Sequence, residues 1–167
     1  MLIILGGLPG SGKTTLARAL ARRIGAVHLR IDSIEQAILG SSLAPVSVEE
    51  AGYLVGYALA GDNLRLGHRV IADSVNPLPV TREAWRGVAR RAGVVALEVE
   101  IICSDPTEHR RRIESRTADI SGQRLPTWQD VLSRDYHPWQ STRLVLDTAQ
   151  DRLEACVDKI IAAMAAI

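Results

Sequence analysis

The feature that most constrains this chain is the glycine-rich segment 7–14, which reads Gly-Leu-Pro-Gly-Ser-Gly-Lys-Thr. It follows an apolar run at residues 2–5 and precedes a helix-like run at 16–21. Glycines adopt positive φ and carry no Cβ, so consecutive backbone N–H groups can curl around a phosphate. The helix that follows adds its positive end. A complete GxxxxGK[ST] pattern between a strand and a helix therefore predicts a phosphate-binding loop in an α/β fold.

Two side chains of this loop have predicted chemical roles. Lys13 would bring a mobile positive charge to the β and γ phosphates, and the Thr14 hydroxyl is placed to bind Mg²⁺. We expect nucleotide contacts from every residue of the loop and the position after it: Gly7, Leu8, Pro9, Gly10, Ser11, Gly12, Lys13, Thr14 and Thr15.

Length and composition predict a single domain over residues 1–167. Hydrophobic residues make up 47% of the chain, but no apolar run approaches the roughly 20 residues that span a bilayer. The N-terminus enters an apolar strand at once, without the pattern of a secretory signal, so we expect a cytoplasmic protein without a membrane segment. Cys103 and Cys156 lack CxxC spacing, which favours reduced thiols.

The charge balance bears on possible partners. The formal net charge is +1. Proteins that bind long nucleic acids usually carry a clear basic excess, so this balance makes such a partner unlikely. No pattern in the chain indicates an oligomeric state.

Strand-like and helix-like segments alternate, which predicts a parallel sheet with helices on both faces. Two segments interrupt the alternation: a helix-like insertion at about 47–66 and an arginine-containing stretch at about 110–138. Insertions near the carboxyl edge of such a sheet form walls and covers of sites. We expect the first to be a substrate-side wall and the second a lid. The predicted strands lie near residues 2–6, 27–31, 69–73, 95–102 and 143–147.

Asp32 follows the second predicted strand and so belongs to the same sheet edge as the loop. A carboxylate there could accept the proton of a hydroxyl that attacks a γ-phosphate. The alternative is structural, because Asp32 followed by Glu35 also fits a helix N-cap with its partner.

Asp73 ends the third predicted strand, within Asp-Ser-Val-Asn at 73–76. An acid in this position typically holds Mg²⁺, directly or through water. The next residue is Ser74 and not a water-activating glutamate, which favours transfer to a bound acceptor. We predict that Asp73 and Asn76 contact the acceptor and that Asp73 contacts the metal. The alternative is a polar turn that closes the strand.

Arginines are concentrated in the predicted lid. They can stabilise the charge that spreads over the equatorial oxygens during phosphoryl transfer. Arg112 and Arg116, four residues apart on a helix starting near Pro106, would share a face towards the nucleotide. Arg124 is the candidate catalytic arginine of the lid, and Thr148, after the fifth strand, would border the adenine. The alternative is a solvated cationic face paired with Glu108 and Glu114.

The remaining candidates are weaker. His28, His68, His109 and His137 show no metal-ligand spacing. We interpret them as surface or packing residues.

Together the loop, Asp32, the Asp-Ser-Val-Asn segment and the lid arginines resemble the small P-loop kinases of the AAA_33-like group. This group includes chloramphenicol phosphotransferase, zeta-toxin-type kinases, gluconate kinase and the kinase domain of polynucleotide kinase. The resemblance implies a five-stranded parallel sheet of order 2-3-1-4-5, ATP with Mg²⁺ as phosphoryl donor, and Asp32 as base. Val75 stands where the group usually has a hydroxyl residue.

The leading hypothesis is therefore an ATP-dependent kinase that transfers the γ-phosphoryl group to a hydroxyl of a small molecule. One alternative is a polynucleotide or nucleoside 5′-hydroxyl kinase, and another is a nucleotide-binding module without chemistry. A GTP-dependent switch is disfavoured because the guanine-reading Asn-Lys-x-Asp motif is absent from the sequence.

Overall fold

Five parallel strands form the centre of the molecule in a computed structural model, which describes residues 1–42 and 50–167. Their order is β2-β3-β1-β4-β5, with β1 between β3 and β4. This confirms the predicted sheet and its strand order. The strands are β1 (Leu2–Gly6), β2 (Val27–Arg30), β3 (Val70–Asp73), β4 (Ala96–Ile102) and β5 (Leu144–Asp147).

Helices connect and cover the strands. Proline at the first helical position begins both the fourth and the fifth helix, where a missing N–H costs nothing. The predicted helix at 47–66 corresponds to the third helix, and its predicted first residues 47–49 lie outside the described residues. The helices are α1 (Lys13–Ile24), α2 (Ile31–Leu39), α3 (Ala51–Arg65), α4 (Pro79–Arg91), α5 (Pro106–Glu114), α6 (Trp128–Leu132) and α7 (Leu153–Ala165).

Both faces of the sheet are buried, so β1 is apolar at every position before its terminal glycine. Ile3 and Leu5 face a cluster built with α1 and α7. Leu2 and Ile4 face the opposite cluster, which contains Trp85 and residues of α2, α3 and α4. A central strand that is covered on both faces has a continuous apolar sequence. For this reason the strand predicted near residues 2–6 agrees with β1.

Residues 110–138, the segment predicted to be a lid and called the lid below, contain the end of α5, helix α6 and irregular backbone at 115–127. Asp105 caps α5, because its carboxylate accepts from the Thr107 and Glu108 N–H groups. The helix ends at Glu114. Arg116 therefore lies beyond it, and the prediction that Arg112 and Arg116 share one helical face is wrong.

No helix among the described residues is both long and apolar enough to cross a membrane.

A buried arginine fastens two loops near the carboxyl edge of the sheet. Arg82 of α4 is 3% exposed. Its guanidinium donates to the Asn76 and Pro77 carbonyls after β3 at 2.8 and 2.9 Å. It also donates to the carbonyls of His137 and Pro138 at 2.6 and 3.2 Å. One planar group with several donors thus satisfies backbone acceptors from both loops.

We predict that Arg82→Lys lowers the free energy of unfolding by about 2–4 kcal/mol, because an ammonium group cannot reach four carbonyls and each unsatisfied buried acceptor is costly. Denaturant unfolding measures the change. Arg90→Lys, on the same helix and exposed in a pair with Glu83, is the control and should change stability by less than about 0.5 kcal/mol. Equal stability of the two variants would contradict the role of Arg82.

Candidate active site

The phosphate-binding loop lies at the carboxyl end of β1 in the predicted strand-to-helix context. Gly7, Gly10 and Gly12 have φ of 140°, 81° and 95°. A Cβ at Gly7 would overlap the backbone carbonyl oxygen of Ile101. Only glycine can therefore occupy this position while the loop lies against β4.

The loop opens on a cavity of about 1690 Å³. Binding pockets for a single small ligand usually have about 300–1000 Å³, so this cavity has room for two. Gly7, Leu8 and Ser11, three of the residues predicted to contact the nucleotide, are not part of the cavity lining. The loop residues that line the cavity are Pro9, Gly10, Gly12, Lys13, Thr14 and Thr15.

Lys13 begins α1 and points back along the loop, where its Nζ donates to the Leu8 carbonyl at 2.9 Å. The side chain is buried, and burial lowers its pKa to about 8, although the charges of Asp73 and Asp32 oppose the shift. Lys13 is thus a cation held close to both carboxylates and close to the point at which it loses its proton.

Asp73 ends β3 and is almost fully buried. His28 Nε2, on the neighbouring strand β2, lies 3.0 Å from its Oδ2, and the nearby Thr14 hydroxyl also helps to lower the pKa of this carboxylate. Burial alone would raise the pKa of Asp73, but the bond from His28 and the charge of Lys13 outweigh it and hold the pKa below its usual value. Thr14 and Asp73, the two predicted metal ligands, are therefore neighbours.

Asp32 is the second residue of α2 and does not cap it. Arg30 occupies the N-cap position, so the alternative interpretation of Asp32 as a helix cap is wrong. The Asp32 side chain is 38% exposed and lines the cavity. Gln123 of the lid donates to its Oδ2 at 3.3 Å, and Arg30 Nη2 lies 3.6 Å from the same oxygen.

Glu35 lines the cavity one helical turn after Asp32. Burial, followed by the nearby charge of Asp32, raises the pKa of Glu35 to about 6. The site thus contains a second carboxylate that could accept a proton, and the sequence had indicated only a helix-capping partner there.

Arg112 and Thr148 meet beside the loop. Arg112 donates to the hydroxyl and the carbonyl of Thr148 at 2.7 and 2.9 Å, and the Thr148 hydroxyl donates to the Ser11 carbonyl at 2.9 Å. Arg116 and Arg124 also line the cavity. The structure therefore brings all four predicted residues, Arg112, Arg116, Arg124 and Thr148, to the side of the cavity formed by the loop and the lid.

The other arginines of α5 match the alternative of a solvated face. Arg110 pairs with Glu114 and Arg111 with Glu108, and both arginines are exposed. The partly buried Glu108 also pairs with Arg112 at 2.7 Å.

Asn76 is placed behind the cavity wall. It is fully buried, has a positive φ of 49°, and its side-chain amide donates to the Leu5 carbonyl at 2.6 Å. Its backbone N–H is bonded to the Tyr53 hydroxyl at 3.3 Å. These bonds join β1 to the turn after β3. They favour a structural role for Asn76 over the predicted contact with the acceptor.

Several site residues have no signature in the sequence. Arg30 and Gln123 reach Asp32, and His28 reaches Asp73, through pairs that are distant along the chain. His109 lies behind the loop, with its Nε2 2.7 Å from the Pro9 carbonyl oxygen. The expectation that histidines serve packing fits His109 but misses the contact of His28 with the site.

The strand order and the loop define a P-loop nucleotide-binding fold. The family model described as an AAA domain, AAA_33, matches residues 2–155. Because this match covers most of the chain, the chain belongs to that family.

Several similar proteins are described as kinases. A protein from Aeropyrum pernix described as a probable adenylyl-sulfate kinase is 24% identical over 180 residues, covering 100% of this chain and 93% of its own. A "putative kinase" from Chloroflexus aurantiacus has a TM-score of 0.77 at 25% identity and coverages of 99% and 96%. The APS kinase CysC of Mycobacterium tuberculosis, solved with AMPPNP and APS, has a TM-score of 0.74 at 18% identity and coverages of 98% and 96%.

The position of Lys13 makes triphosphate binding depend on pH. Below a pH of about 8 the side chain is protonated and attracts phosphate; above it the neutral form dominates the free protein, so binding must first take up a proton. We predict that affinity for a non-hydrolysable triphosphate nucleotide is level below this pH and falls by up to about tenfold per pH unit above it.

Calorimetric titrations between about pH 7 and pH 9.5 measure this slope. Lys13→Arg is the matched control, because a guanidinium remains charged throughout the range and should remove the slope. A wild-type affinity that does not change across the range would contradict the prediction.

Proposed function

We propose that this protein is an ATP-dependent kinase that transfers the γ-phosphoryl group to a hydroxyl of a small molecule, with Asp32 as the general base. The observation that carries the proposal is the convergence of three groups on one cavity. These groups are Lys13 of the loop, the pair of Thr14 and Asp73, and the carboxylate of Asp32. The similarity to proteins described as kinases supports the same reaction class.

The residues present fit ATP and Mg²⁺. Positive-φ glycines curl the loop, and the Ser11 hydroxyl is buried without a hydrogen-bond partner among residues 1–42 and 50–167. The Thr14 hydroxyl and the Asp73 carboxylate supply the oxygen ligands that Mg²⁺ prefers. When bound, ATP supplies the phosphoryl group and Mg²⁺ neutralises part of its charge.

Asp32 is suited to take the proton of an acceptor hydroxyl. It belongs to the first turn of α2, directly after the carboxyl end of β2. Its side chain is partly exposed and lines the cavity. Gln123 donates to one carboxylate oxygen and thereby fixes its orientation. A general base that is positioned in this way contributes about 10²–10⁴-fold to rate.

Arginines that line the same cavity complete the arrangement. Arg112 is fixed on Thr148 beside the loop, and Arg116 and Arg124 enter the cavity from the lid. We propose that they and Lys13 stabilise charge on the transferring group, because a preorganised donor in such a site acts without reorganisation. Among them, we propose Arg124 as the catalytic arginine of the lid.

We predict that Asp32→Asn lowers kcat by about 10²–10⁴-fold, because an amide cannot accept the hydroxyl proton. Thermal stability should change little, because Asp32 is partly exposed and does not cap α2. An ATP-consumption screen over hydroxylated metabolites and antibiotics identifies an acceptor, and kcat is then compared between the wild type and the variant.

Glu35→Gln is the matched control, because Glu35 is the second carboxylate of the cavity on the same helix. We expect it to retain most of kcat. Collapse of activity in Glu35→Gln with retention in Asp32→Asn would assign the base to Glu35 and contradict the role of Asp32.

A further inference from the structure

Two arginines of the protein body meet one carboxylate of the lid inside the cavity. Arg30 at the end of β2 donates to both oxygens of Asp119, with distances of 2.8 and 3.1 Å. Arg18 of α1 donates to the same carboxylate at 2.6 Å. The guanidinium of Arg30 is almost fully buried, whereas the Asp119 side chain is 36% exposed. The two arginines thus form a site for one carboxylate, and in this structure the carboxylate of Asp119 fills it.

Asp119 can move away more easily than Arg30 and Arg18 can. Asp119 belongs to the irregular segment 115–127 of the lid, where Gly122 has a positive φ of 76°. Such segments open at a low free-energy cost compared with core strands and helices. Arg30 and Arg18, by contrast, are carried by a paired strand and a packed helix. Loss of Asp119 would therefore leave a preformed pair of cations in the cavity wall.

A buried cation without a partner is strongly destabilised, so Arg30 needs a carboxylate or its equivalent at all times. Besides Asp119, Arg30 is also paired with Asp32, whose Oδ2 lies 3.6 Å from its Nη2. The site is thus next to the proposed base. An acceptor whose hydroxyl reaches Asp32 places its neighbouring atoms at Arg30.

We propose that Arg30 and Arg18 form a carboxylate subsite of the acceptor pocket, which Asp119 occupies when no acceptor is bound. The acceptor is then a hydroxy acid whose carboxylate lies close to the hydroxyl that is phosphorylated. Its carboxylate replaces that of Asp119, so the exchange keeps Arg30 paired. This inference rests on the proposed function, since it names the substrate class of the same site.

The test compares acids with the alcohols that match them in length, for example glycerate with glycerol and gluconate with sorbitol. Binding is measured by calorimetry with the phosphate-binding loop filled by a non-hydrolysable ATP analogue and Mg²⁺, and ATP consumption is measured with the same compounds. We expect binding of one or more acids at least about tenfold tighter than binding of the matched alcohols, the difference expected for a charged hydrogen-bonded pair. Preference for the alcohols, or no binding of any acid in the set, would overturn the proposal.

Arg30→Gln should weaken acid binding by about 10-fold to 100-fold and leave alcohol binding unchanged. If the Arg30→Gln variant does not fold, Arg18→Gln tests the same subsite, because the Arg18 side chain is 47% exposed. Arg22→Gln, exposed one turn further along α1, is the control and should leave acid binding unchanged. If Arg30→Gln instead weakens binding of the ATP analogue and spares the acids, the cation serves the γ-phosphate and the proposal fails.

Asp119→Asn distinguishes two roles of Asp119: competition with the acceptor for the arginines, and attachment of the lid to the sheet. Because the neutral amide competes less well for the arginines, acid affinity should rise by about threefold or more. If Asp119→Asn binds both acids and alcohols more weakly, Asp119 only holds the lid in place and the proposal is overturned.

If acids bind but ATP is not consumed, the proposed kinase function fails and the subsite stands. If only neutral or cationic alcohols are phosphorylated, the function stands and the subsite fails.

Discussion

The close contact between the phosphate-binding loop and β4 is the constraint on which the site depends. Gly7 lies against the Ile101 carbonyl, and this approach is possible because Gly7 has no side chain. The contact sets where α1 begins, and hence where Lys13 and Thr14 lie relative to Asp73 on the neighbouring strand. A bulkier residue at this one position would displace the cation and the proposed metal ligand together.

Much of the fold followed from local patterns. The strands β1, β3 and β5 were found because each is a short, largely apolar run bounded by polar or glycine-containing turns, and β1 is buried on both faces. The capping of α5 by Asp105 is local in the same way, since it involves only the next three residues. The end of α5 was misplaced because arginine is a good helix former, and nothing in the composition near Arg116 marks the stop at Glu114.

The site was predictable where a linear motif or the end of a predicted strand marks a residue. Lys13 and Thr14 belong to such a motif, and Asp32 and Asp73 follow strands that end at one edge of the sheet. The pair of Arg30 and Asp119 spans 89 positions of the chain. Contacts of this kind depend on how the lid folds back over the sheet, and no local spacing encodes them.

The lid is held in two different ways. At its end, the guanidinium of Arg82 on α4 ties the backbone of residues 137–138 to the turn after β3. In its irregular segment, Asp119 and Gln123 attach through their side chains to Arg30 and Asp32. Side-chain attachments can be exchanged for bonds to a small molecule without breaking any backbone hydrogen bond. A ligand that takes over Arg30 or Asp32 therefore releases the middle of the lid while its end stays anchored to α4.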